Sequence, residues 1–78
     1  MSEEELKVYF SIFNSCWKLF KKYSDPEDND DFWERLMEDL NKEVENYKNY
    51  DFAIKILMQT EKEIEEILKR KRGWIWNH

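Results

Sequence analysis

Between Leu6 and Tyr23 the chain carries Leu6, Val8, Tyr9, Phe10, Ile12, Phe13, Cys16, Trp17, Leu19, Phe20 and Tyr23 among seven polar residues. At about 100° per residue, a stretch of about 18 residues visits every direction around a helix once. On that wheel the apolar positions fill one unbroken arc of about 200°. Lys7, Ser11, Asn14, Ser15, Lys18, Lys21 and Lys22 fill the remainder without exception. This sorting predicts a helix over 3–23. A helix resting on one neighbour needs a stripe only somewhat wider than about 100°. The excess suits a helix that touches two neighbours and has apolar surface left over.

A second helix is expected over 30–47. Trp33, Met37, Leu40, Val44 and Tyr47 step by four and three, the spacing of a seam between packed helices, and Phe32 and Leu36 widen it. Asp31 and Glu34 have the spacing of a capping box, and Asp30 or Asn29 are alternative caps. A third helix is expected over 50–72, with Tyr50, Ala53, Leu57, Ile64, Ile67 and Leu68 on one side. Phe52, Ile54, Ile56 and Met58 broaden its first half, and Asn49 or Asp51 is the expected cap.

The breakers agree with these limits. The one proline, Pro26, stands in a run from Ser24 to Asp31 without an apolar residue, and the one glycine, Gly73, follows the last basic cluster. Short connections make sequential helices antiparallel neighbours. The expected fold is an all-α, up-down-up three-helix bundle forming one domain over 1–78. Gly73 is expected to end the third helix in the left-handed conformation. Trp74, Ile75 and Trp76 should then pack as a short aromatic tail on one end, over Trp17, Phe20 and Trp33.

Composition narrows the chemistry. The chain has 78 residues, one cysteine and one histidine, which excludes an internal disulfide and leaves no soft-ligand zinc site. It opens with Glu3, Glu4 and Glu5 instead of a basic and then apolar leader, so no signal peptide is expected. No stretch approaches the roughly 18 apolar residues of a membrane span, and a cytoplasmic protein is expected. Neither EF-hand register fits calcium: counting from Asp25 puts Leu36 at the twelfth position, and counting from Asp28 puts Trp33 at the sixth. No metal site and no cofactor are expected. Cys16 lies inside the apolar arc and should be a buried, unreactive thiol. His78 stands at the end of the chain with nothing to position it. Glu61 and Glu65 share an exposed helix face, with nothing to desolvate them and shift a pKa. No catalytic residue emerges, and the chain is not read as an enzyme.

Charge points toward proteins as partners. Acids gather at helix starts and bases at helix ends, the arrangement that the helix macrodipole favours. In an up-down-up bundle Lys18, Lys21, Lys22 and the cluster Lys69 to Arg72 meet the acidic 25–31 loop at one end and are largely neutralised there. A net charge of −5 argues against direct nucleic-acid binding, which demands a basic surplus. An acidic surface can instead occupy a partner's basic groove. The candidate contact residues are Glu27, Asp28, Asp30, Asp31, Glu61, Glu65 and Glu66, together with the aromatic residues Phe10, Trp74 and Trp76.

The string from Trp17 to Tyr23, the acidic loop and Asp31-Phe32-Trp33-Glu34 resemble short, uncharacterised helical proteins of phages and integrative elements in gut Firmicutes. The resemblance covers about the first 60 residues, leaves out the aromatic tail and brings no site residues. It implies an accessory protein of a mobile element, of the kind that binds and inhibits host machinery such as CRISPR effectors. The expected function is therefore a non-catalytic protein-binding module, an inhibitor or adaptor. The alternative is a self-associating helical protein whose wide first helix, through Phe10, Val8 and Leu19 at the arc's edges, is buried in a homodimer.

Overall fold

The computed structural model describes residues 1–73. They form three helices, α1 (Glu3–Lys22), α2 (Asp30–Asn46) and α3 (Asp51–Lys71), packed as an all-α three-helix bundle. Each helix starts and stops for a local reason. Ser2 caps α1: its Oγ accepts from the Glu5 N–H at 3.2 Å, and the Glu5 carboxylate accepts in return from the Ser2 N–H. Asn29 caps α2 by accepting from the Phe32 N–H at 2.8 Å. The Asp31/Glu34 box therefore does not form, because Asp31 already lies inside the helix. For α3 the structure corrects the expected cap: Tyr50 occupies that position without a side-chain bond, and Asp51 opens the helix, where its charge suits the dipole. Gly73 takes φ +72° after the last turn, as expected of a left-handed terminator, and its N–H reaches the Arg70 carbonyl.

The up-down-up order can be read from contacts. Tyr9 and Phe13 of α1 meet Phe52 at the start of α3, while Asp25 just beyond α1 meets Lys71 at the end of α3, so these helices run parallel. Tyr23 at the end of α1 meets Phe32 at the start of α2, and Ser11 meets Tyr47 at the end of α2, so that pair is antiparallel. The core is built from Ile12, Cys16, Leu19 and Tyr23 on α1, Phe32, Leu36 and Leu40 on α2, and Ala53, Leu57, Ile64 and Leu68 on α3.

The expected core face of α2 is turned, and that of α3 loses only its first residue. In α2 the buried line is Phe32, Leu36 and Leu40, stepping by four, and Met37 is exposed. In α3 Tyr50 is exposed as well, since it stands before the first helical turn. The expected packing of Trp74, Ile75 and Trp76 on one end lies outside the described residues.

Polar contacts lock the bundle at both ends. The Tyr47 hydroxyl lies 2.5 Å from Ser11 Oγ and 2.9 Å from Ser15 Oγ, tying the end of α2 to the polar side of α1. At the opposite end the Tyr23 hydroxyl donates to Asp39 Oδ2 at 2.5 Å, and Lys22 Nζ donates to the same oxygen at 2.7 Å. Lys22 and Tyr23 hold the Asp39 carboxyl below its ordinary value by stabilising its charged form. Pro26, within the α1–α2 loop, is fully buried, and Lys71 Nζ donates to its carbonyl at 3.1 Å.

Candidate protein-binding surface

Two seams run along α1, and the core uses one of them. Ile12, Cys16, Leu19 and Tyr23 step by four, three and four and are all buried. Leu6, Phe10, Phe13 and Trp17 repeat that spacing about 120° further round the helix. Their fractional exposures are 55%, 71%, 55% and 58%. A seam of this kind belongs between packed helices, and here it faces outward.

Neighbouring rings extend the outer seam. Tyr9 and Phe13 set their rings edge-on to Phe52, with centroids 5.2 and 5.6 Å apart, which brings the start of α3 into the same surface. Trp17 stacks on Phe20 at 6.3 Å. Beside these rings a shallow groove between α1 and α3 is lined by Phe13, Trp17, Phe20 and Ile56, with Gln59, Thr60 and Glu63 along its α3 side. Cys16 contributes to its lining but is itself buried, as its place in the arc predicts, and burial pushes its thiol pKa up.

The exposed apolar area is large for the size of the chain. Leu6, Tyr9, Phe10, Phe13, Trp17 and Phe52 are each left more than a third exposed. With roughly 200 Å² for each such side chain, they present on the order of 600 Å² of apolar surface. That is the upper end of the largest patch on a typical monomer, and such patches are often functional.

The acidic candidates are dispersed, and most already have partners. Asp28 pairs with Arg72 at 2.7 Å, Asp31 with Arg35 at 3.2 Å and Glu66 with Lys69 at 3.4 Å. Glu27 accepts from the Asn29 side chain at 3.0 Å, and Asp30 stands in the first turn of α2. Asp28 and Glu65 line one hollow with Trp33, Leu68, Lys69 and Arg72. Arg70 pairs with Glu63 at 3.1 Å and Lys71 with Asp25 at 2.9 Å, so the whole Lys69 to Arg72 cluster is spent on in-chain carboxylates. The neutralisation expected at that end is met only in part: Lys71 and Arg72 reach the acidic loop, whereas Lys69 and Arg70 pair within α3 and Lys22 pairs with Asp39 of α2.

One expectation for the acidic face is overturned. Glu61 is half-buried, and its pKa is pushed up to about 7, first by desolvation and then by a hydrogen bond and charge repulsion from Glu65. The face it occupies is not fully solvated.

Of the aromatic candidates, Phe10 is on the outer seam, and Trp74 and Trp76 lie outside the described residues. Leu6, Phe13 and Trp17 were not among the candidates, because the continuous arc placed all of them with the core. Their signal was present in the sequence as a second four-and-three spacing interleaved with the first. Among the described residues no cluster of three or more histidine, cysteine or acidic residues could hold a metal ion, and no helix is long and apolar enough to cross a membrane.

No protein-family model, curated protein or solved structure matches this chain. Its function is therefore argued from the surface itself.

Proposed function

We propose that this chain is a non-catalytic protein-binding module whose contact surface is the outer seam of α1 extended by Phe52. The observation that carries this is the run Leu6, Phe10, Phe13 and Trp17, four successive seam positions each more than half exposed. Aromatic side chains grouped on a rigid helix are the usual energetic centre of a protein interface, because each removes a large apolar area from water at little cost in conformational freedom. The carboxylates support the reading less, since Asp28, Asp31 and Glu66 already neutralise bases of the same chain.

A photo-crosslinking amino acid placed at Phe10 or Trp17 tests this. Irradiation in cells should join the chain to protein from these two positions, and not from Lys7 or Lys48 on polar surface. Equal adduct yields from all four positions, or none from Phe10 and Trp17, would remove the proposal.

A further inference from the structure

We infer that the occupant of the outer seam is a second copy of this chain, with the two α1 helices packed antiparallel about a twofold axis between Phe10 and Phe13. The inference rests on the protein-binding reading above and names its partner.

Three observations carry it. The first is register. Leu6, Phe10, Phe13 and Trp17 follow the alternating four-and-three spacing of coiled-coil core positions. Reversed and laid against itself, the series matches: Leu6 faces Trp17 of the other copy, and Phe10 faces Phe13. Each layer sets an aromatic ring against a second apolar side chain, and the axis falls near the middle of α1 (Glu3–Lys22), so nearly the whole helix is paired. A twofold interface requires such self-complementarity.

The second observation is charge. The first turn of α1 holds Glu3, Glu4 and Glu5, and its last turn holds Lys21 and Lys22. Glu3 and Lys21 are 18 residues apart, about five full turns, so both point to the same flank of the seam. A perpendicular twofold keeps that flank on one side of the dimer and places Glu3 of each copy beside Lys21 of the other. Lys21 makes no ion pair among the described residues, whereas Lys22 is held by Asp39. A parallel pairing would put acid beside acid and base beside base. The opposed helix dipoles favour the antiparallel arrangement in the same sense.

The third is area. On the order of 600 Å² of apolar surface per copy, in an interface about 65% apolar, corresponds to roughly 900 Å² buried on each side. Stable specific interfaces bury about 800 Å² per partner.

The test combines sedimentation of the full chain over a range of micromolar concentrations with directed disulfides. The mass should rise to twice the 9.8 kDa of one chain. Phe10→Glu should weaken association at least about 100-fold while far-ultraviolet dichroism stays unchanged, because Phe10 makes little of the monomer's core. Glu3→Lys should weaken it several-fold, and adding Lys21→Glu should restore it. On a Cys16→Ala background, mixing Leu6→Cys chains with Trp17→Cys chains should give the mixed disulfide. The like pairs, about 16 Å apart along the antiparallel helices, should not form.

Like-with-like disulfides would overturn the antiparallel register, and a dimer indifferent to Phe10→Glu would overturn the interface. A monomer at every concentration would overturn the dimer altogether. If the Phe10 photoprobe on such a monomer still captures a different protein, the protein-binding reading stands without the dimer. If it captures nothing, both fall.

Discussion

Truncating Leu36 and Met37 separately tests the seat of α2 in the bundle, because the two neighbours lie on either side of the line between core and solvent. Leu36 is 0% exposed and Met37 is 43% exposed. Leu36 contacts the cluster that also holds Cys16, Leu19, Leu57 and Ile64, so removing its branched end leaves a void that rigid helices on two sides cannot close. Leu→Ala at such a site costs about 2–5 kcal/mol. Met37 has already kept nearly half of its surface in water. Met37→Ala forfeits only part of the roughly 1.5–3 kcal/mol that full burial of methionine supplies and encloses no void, so about 1 kcal/mol is expected. A folded chain of 78 residues has a total stability of roughly 4–12 kcal/mol, so the first change removes a large fraction and the second a small one. Thermal unfolding followed by dichroism should show Leu36→Ala melting on the order of 15 °C lower, and Met37→Ala within about 8 °C of the parent. Both variants need the same chain concentration, since the proposed association would contribute to apparent stability. A larger loss at Met37 than at Leu36 would mean that α2 is rotated toward the Trp33, Met37 and Val44 face, and the core described above would be wrong.

Further outcomes follow from other contacts. Tyr47→Phe removes the hydroxyl shared by Ser11 and Ser15, and should cost about 1 kcal/mol in urea unfolding; no loss would mean that water replaces the link at no cost. The Cys16 thiol should react with an aromatic disulfide reagent orders of magnitude more slowly in the native chain than in urea, given its burial and raised pKa; comparable rates would contradict the packed α1–α3 contact. The Glu61 carboxyl, with a pKa pushed up to about 7 in the fold against an ordinary 4.5, gives a definite sign: its charged form is disfavoured by folding. Stability should therefore rise as pH falls from above 7 toward 4.5, and Glu61→Gln should flatten that slope; a parent chain whose stability does not change across this window would refute the assignment. Asp39, held below its ordinary value of 3.8 by Lys22 and then Tyr23, acts oppositely: its contribution is complete above 3.8 and is lost below it as the carboxyl protonates, and Asp39→Asn should remove that loss.

Much of the fold was legible because helices announce themselves locally. The sorting of α1, the breakers at Pro26 and Gly73 and the short connections were enough for three helices, their order and limits within a residue of those observed. So was the meeting of the terminal bases with the acidic loop, because an up-down-up order forces the end of α3 beside the end of α1. The candidate surface was legible only in part. Phe10 was picked out at an edge of the arc, yet Leu19, named with it for self-association, is core, and Val8 is half-buried. The Glu61 environment was missed because desolvation depends on neighbours from other helices, which no spacing along α3 reports.

What the amino-acid pattern determined by itself is the width of each apolar arc, since periodicity depends only on the angle between successive residues. Which part of an arc is covered is a different quantity. It depends on where the neighbouring helices lie around α1, and two arrangements that bury opposite edges satisfy the same arc. The tertiary structure made that choice: α2 and α3 close over Ile12, Cys16, Leu19 and Tyr23, and Leu6, Phe10, Phe13 and Trp17 are left facing outward. Packing two helices against α1 covers only part of an arc of about 200°, and the uncovered part is the proposed binding surface.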